Sequence, residues 1–222
     1  LWKSQPLKIS FFIQRKEIGT MFNLVLKDIL LQKKTLLIML PIFIIYLFTG
    51  FSITWIGFIF CIAIIMNAFS YDEKPSINIL LNSLPYTRRE IVSSKYVGAC
   101  VFTLIILFTM FIGNLMINNE VMPLKQLLFI LSMVAVFISF AFPFSFQFKS
   151  QYLLIAFAIL FVGYFVMIGV FIPDLNDRIR SIVHLYFNYN NLLVYLITII
   201  IVLILYILSW MISIRIYKKK VF

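Results

Sequence analysis

Five stretches of this chain contain no aspartate, glutamate, lysine, arginine or histidine: 35–71, 96–119, 126–148, 150–173 and 185–214. These runs restrict the fold more than any motif does. A helix rises about 1.5 Å per residue, so about 20 apolar residues cross the roughly 30 Å of hydrocarbon in a bilayer. The last four runs are each about one crossing long by that measure. The first would make a helix of about 55 Å, too long for a single passage. It contains Gly50-Phe51-Ser52-Ile53-Thr54-Trp55, which reads as a short turn with an interfacial tryptophan, and it divides there. The expectation is an all-α, polytopic membrane protein with six transmembrane helices over residues 35–214. Composition agrees, because only 12% of residues are charged where soluble domains carry about 25%.

The basic residues orient these spans. Lys27, Lys33 and Lys34 precede the first span, and Lys74, Arg88, Arg89 and Lys95 lie between the second and third. Lys149 lies between the fourth and fifth, and Arg215, Lys218, Lys219 and Lys220 sit in a basic tail over 215–222. The opposite loops hold Lys125, Arg178 and Arg180. The positive-inside rule therefore places both termini in the cytoplasm. A net charge of +11 follows from the same bias, since anionic lipid attracts basic residues near the membrane. Nucleic acid is not an expected partner, because no soluble segment is long enough to form a basic module. Heavy use of Phe, Ile, Leu, Tyr, Asn and Lys over Gly and Ala points to an AT-rich bacterial genome, and hence to a bacterial plasma membrane.

Residues 1–20 fit poorly with the rest and read as an upstream extension, with Met21 the expected natural start. From Met21 to 34 the pattern is that of an amphipathic interface helix. Phe22, Val25, Leu26, Ile29 and Leu30 recur at helical spacing, with Asn23, Lys27, Asp28, Lys33 and Lys34 mostly on the remaining face. An external loop over 173–190 carries a second stripe of this kind: Leu175, Ile179, Ile182, Val183 and Tyr186.

The segment 72–95 is the sizeable polar interruption in the first half of the chain. Ile77, Leu80, Leu81 and Leu84 fall on one face of a short helix. Pro85 ends it, because proline disfavours helix in the residue before it. Thr87-Arg88-Arg89-Glu90 then matches a capping box that starts the third span. Asp72-Glu73 reads as a solvated helix end, since adjacent helical residues do not face each other.

Several chemistries are missing. There is no Gly-x-x-x-x-Gly-Lys-Ser/Thr phosphate loop, so the chain is not itself expected to hydrolyse ATP by that route. His184, Asp174 and Asp177 read as surface charges rather than a metal site. Cys61 and Cys100 fall in or beside spans, where a thiol behaves as a small hydrophobe. No other ionisable side chain except tyrosine is expected near the middle of a span, which disfavours proton-driven transport. Asn67 and Asn114 read first as interhelical hydrogen-bonding residues, with a place on the substrate path as the alternative role. Ala135 and Ser139 form a small-xxx-small contact in the fourth span.

The run Leu81-Asn82-Ser83-Leu84-Pro85-Tyr86-Thr87-Arg88-Arg89-Glu90-Ile91-Val92-Ser93-Ser94-Lys95-Tyr96, with six spans and an amphipathic N-terminal helix, resembles bacterial ABC-2-type transporter permeases. It is similar to small permeases that export amphipathic staphylococcal peptides, the phenol-soluble modulins, and to peptide-antibiotic immunity permeases. The resemblance implies a chain that dimerises, with itself or a second permease, and works with a separate ATP-binding subunit that carries the ATP and Mg. It also implies a cytoplasmic coupling helix between spans two and three. Ile77, Leu80, Leu81, Leu84, Pro85, Tyr86, Thr87, Arg88, Arg89 and Glu90 would then be the residues that meet the ATPase. The expected function is the permease subunit of an exporter for amphipathic peptides or lipid-like compounds. The alternative is a stand-alone channel or antimicrobial-peptide immunity protein without an ATPase.

Overall fold

The computed structural model describes residues 22–48, 53–73, 86–119, 121–168, 174–188 and 192–219. Eight helices occur among them: α1 (22–31), α2 (Lys33–Leu47), α3 (Ile53–Asp72), α4 (Arg88–Asn118), α5 (Leu124–Gln147), α6 (Ser150–Val166), α7 (Leu175–Asn188) and α8 (Leu192–Lys219). Residues 1–20, expected to be an upstream extension, lie outside the described residues, as do Met21 and the whole of the expected coupling helix.

Helices occupy the described parts of the long apolar runs. α2 ends at Leu47 and α3 starts at Ile53, so Ile53, Thr54 and Trp55 of the expected turn are helical, while Gly50, Phe51 and Ser52 lie outside the described residues. The capping box is present. Thr87 Oγ1 accepts from the backbone N–H of Glu90 at 3.2 Å, while Thr87 N–H donates to Glu90 Oε2 at 2.6 Å. At its other end α4 stops at Asn119, whose left-handed backbone (φ 53°) suits a short polar side chain.

The described helices long and apolar enough to cross a bilayer number five: Phe22–Tyr46, Thr54–Asp72, Arg88–Ile117, Leu124–Gln147 and Leu193–Lys219. The remaining expected span corresponds to α6, with 17 helical residues, about 25 Å long. Among its described side chains only Leu153 is buried. Apolar residues exposed all round a helix are what lipid contact selects.

The first crossing helix starts earlier than expected. Helical order is interrupted at Gln32 alone, and the backbone bonds continue around it, from Gln32 N–H to Asp28 O at 3.1 Å and from Leu36 N–H to Gln32 O at 2.8 Å. Nor does the α1 stripe face one way. Phe22, Leu26 and Leu30 are exposed, whereas Leu24, Val25 and Asp28 are buried against the bundle.

The core lies among α3, α4, α5 and α8, around Ile64, Ile65, Ile106, Met110, Ile130, Val134, Ile138 and Phe142, with Phe43 of α2 beside them. The pairing of α4 with α8 is antiparallel, and that of α5 with α8 is parallel, as the contacts Lys125–Tyr195 and Phe146–Tyr217 show. Ser139 Oγ donates to Ala135 O of its own helix at 2.8 Å. α7 is tied to the bundle near its end, where Tyr195 OH donates to Tyr186 O at 3.0 Å.

Candidate functional site

The charged residues of the amphipathic α1 and of the segment after α3 meet at one end of the bundle. Asp28 comes from α1, Asp72 is the last residue of α3, and Lys95 lies in the second turn of α4. Lys95 Nζ is 2.8 Å from Asp28 Oδ2 and 2.6 Å from Asp72 Oδ2. Lys27 Nζ closes the other side, 3.1 Å from Asp28 Oδ1 and 3.0 Å from Asp72 Oδ1. Lys95 also donates to Ala68 O at 3.3 Å and lies 5.7 Å from the centre of the Phe69 ring. The side chains of Asp28 and Lys95 are only 3% and 5% exposed. Buried charge is tolerated when paired and hydrogen-bonded, and these two acids and two bases balance. Gly98, one turn beyond Lys95, leaves α4 smooth where the Asp28 carboxylate approaches.

Two expectations are corrected here. Asp72 is not a solvated helix end but is held by two lysines, and Asp28 is not on a polar outer face. The signal for both was in the spacing. Lys95 falls between Val92 and Ala99 on the inward stripe of α4, and Asp28 follows the inward Val25 by three residues.

A second polar arrangement joins α4 to α8. The Tyr96 hydroxyl lies 2.7 Å from Ser209 Oγ and 2.8 Å from Ser213 Oγ. Tyr206 OH donates to Tyr96 O at 2.8 Å, and Trp210 Nε1–H donates to Ser93 Oγ at 3.0 Å. Arg88 Nη1 completes the seam by donating to the α8 carbonyls of Tyr217 and Lys218 at 3.3 and 2.8 Å. Every residue of this seam is neutral except Arg88, so neither charge pattern nor periodicity drew attention to it.

The expected coupling residues divide. Ile77, Leu80, Leu81, Leu84 and Pro85 lie outside the described residues. Tyr86 packs on Leu24 and Ile91. Thr87 and Glu90 are engaged in the cap, and Arg88 in the bond to α8. Arg89 is exposed.

Asn67 and Asn114 are not brought together. Asn67 is half-buried five residues before the end of α3, near the ion pairs. Asn114 is buried at the far end of α4, about 40 Å along that helix from Arg88. Asp174, Asp177 and His184 are all exposed along α7. Among the described residues no group of three or more side chains is arranged to hold a metal.

A bundle of helices long and apolar enough to cross a bilayer defines a multi-pass membrane protein. The sequence model of the ABC-2 family transporter proteins matches residues 23–218, and the chain belongs to that family. It is a permease-type, transmembrane component of an ABC transporter. No curated protein and no solved structure matches the chain.

Proposed function

We propose that this chain is the permease subunit of an ATP-driven exporter in a bacterial plasma membrane, driven by a separate ATP-binding subunit. ATP and Mg would be bound by that partner. The chain would cross six times, α6 included, with both termini in the cytoplasm, since the ion-pair end also carries the excess of basic residues. The segment between α3 and α4 would be the coupling helix on which the ATPase acts.

The observation that best supports coupling is the mounting of α4. Its first turn is closed by Thr87 and Glu90, and its first residue, Arg88, grips the end of α8. A load applied just before Thr87 would reach two spans through hydrogen bonds rather than through sliding apolar contacts alone. The cargo we assign is an amphipathic peptide or a lipid-like compound. Large exposed apolar side chains such as Phe108, Phe140, Leu160 and Phe165 would line an apolar cavity when two permeases, identical or sister chains, stand together.

Co-expression with the ATP-binding subunit encoded beside this chain tests the reading. A complex that survives purification, and that is lost when Leu80, Leu81 and Leu84 are replaced by Asp, supports it. No complex, with transport or immunity retained by the chain alone, would favour a stand-alone channel. A complex indifferent to the three substitutions would remove the coupling assignment.

A further inference from the structure

The ion-pair cluster joins three helices that the chain reaches at widely separated points. Lys95 touches Asp28 and Asp72, and Lys27 touches the same two carboxylates from the other side. Asp28 and Lys95 are the most buried pair of the four, and separating them leaves each buried charge with one partner fewer. Removing one partner of a buried pair shifts an equilibrium by about 100- to 4000-fold. Apolar contacts are non-directional and would let α1 slide over the bundle. Charge-assisted hydrogen bonds of 2.6–3.1 Å fix its position instead.

Gln32 is the one non-helical residue between α1 and α2, with φ −89° and ψ 0°, and the backbone bonds continue through it, from Gln32 N–H to Asp28 O and from Leu36 N–H to Gln32 O.

We propose that Lys27, Asp28, Asp72 and Lys95 form a clamp that makes α1 move as one body with the α3–α4 end of the bundle. Asp28 and Lys95 are its positioning residues, and the backbone bonds that continue through Gln32 carry α1 motion into α2. The clamp's role in transport rests on the reading of the α3–α4 segment as the site where the ATPase acts. On that reading the ATPase moves the first span as well as α4.

The test places spin labels at Leu26→Cys on α1 and Val97→Cys on α4, in the full chain with Cys61→Ala and Cys100→Ser, reconstituted in lipid nanodiscs. The clamp predicts one narrow distance distribution, broadened in Asp28→Asn and narrowed again in the charge-exchanged pair Asp28→Lys, Lys95→Asp. Amides 24–31 should exchange about 100- to 4000-fold faster in Asp28→Asn, while Asp28→Glu retains most protection. In the complex with the ATPase, the wild-type distance should be the same with and without ATP, and in Asp28→Asn it should become nucleotide-dependent. A broad wild-type distribution, a wild-type distance that changes with ATP, or an Asp28→Asn variant as narrow as wild type would overturn the clamp. Failure of the ATPase to copurify would count against the exporter reading alone, because the isolated chain decides the clamp.

Discussion

The Tyr96 hydroxyl sits 2.8 Å from the Ser213 hydroxyl, joining residues 117 positions apart in the chain. Ser209 lies on the same phenol from the preceding turn of α8, at 2.7 Å. The Tyr96 ring meanwhile packs edge-on against Phe142 and Tyr206, with centroid distances of 4.8 and 5.2 Å. One side chain thus fixes both the spacing and the register of α4 against α8. In lipid no water competes for such hydroxyls, yet the unfolded reference state also finds partners, which limits their net worth.

Tyr96→Phe should therefore destabilise the chain by about 0.6–1.7 kcal/mol, the range of interhelical hydrogen bonds in membranes. Ser213→Ala should cost less, because Ser209 still engages the phenol. The double variant should be no worse than Tyr96→Phe by more than a few tenths of a kcal/mol. Thermal unfolding of the purified protein in detergent measures all three. Additive losses would mean that the two groups are not bonded to each other.

Arg88 acts at the end of the same seam, where a cation meets the unsatisfied carbonyls and negative dipole end of α8. Its side chain is exposed, so the effect of Arg88→Ala should be local, about 0.3–1 kcal/mol. Amides near the C-terminal end of α8 should exchange several-fold faster while global unfolding barely moves. Arg88→Lys should recover the charge but only part of the protection, since it loses the forked donor. A global loss of stability would assign Arg88 a wider structural role.

Much of this arrangement was legible in the sequence, and what was not has a physical reason. The α4 start was written as Thr87-Arg88-Arg89-Glu90 because a capping box is local, needing four consecutive residues. The α2–α3 break was legible because helix length is bounded by bilayer thickness. The cluster of Lys27, Asp28, Asp72 and Lys95 was not, since its pairs lie up to 67 residues apart and single charges near a membrane surface read as solvated. The division of the α1 stripe followed from that cluster. Turning Asp28 inward carries Val25 with it and leaves Phe22, Leu26 and Leu30 outside. The Tyr96–Ser213 seam was illegible because hydroxyls within an apolar run carry no periodic signal.

Thr87→Ala removes the side-chain acceptor at the start of α4 and should cost about 1 kcal/mol, within the usual 0.5–2 for such caps. Thr87→Ser should be close to wild type. On the exporter reading, Thr87→Ala should also lower transport-linked ATPase stimulation, because the first turn of α4 frays where the load enters. Amide exchange at 88–91 reports the fraying directly. Unchanged protection there would show that the bond from Arg88 to α8 suffices to hold the turn.

Gly57 of α3 lies against the side chain of Met110 in α4. A Cβ at this position would lie 2.3 Å from Met110 Sδ and 2.5 Å from its Cε. The end of a methionine side chain is ordinarily able to move aside, but Met110 is fully buried and has little free space to enter. Gly57→Ala should therefore cost about 1–3 kcal/mol by overpacking. Met110→Ala alone should cost about 2–5 kcal/mol through the cavity it opens. Combined, the added methyl enters the space that the methionine leaves, so the double variant should lose less than the sum of the singles by about 0.5–3 kcal/mol. Unfolding midpoints of the four proteins in one detergent measure that difference. Strict additivity would place the two helices farther apart than the Gly57–Met110 contact requires.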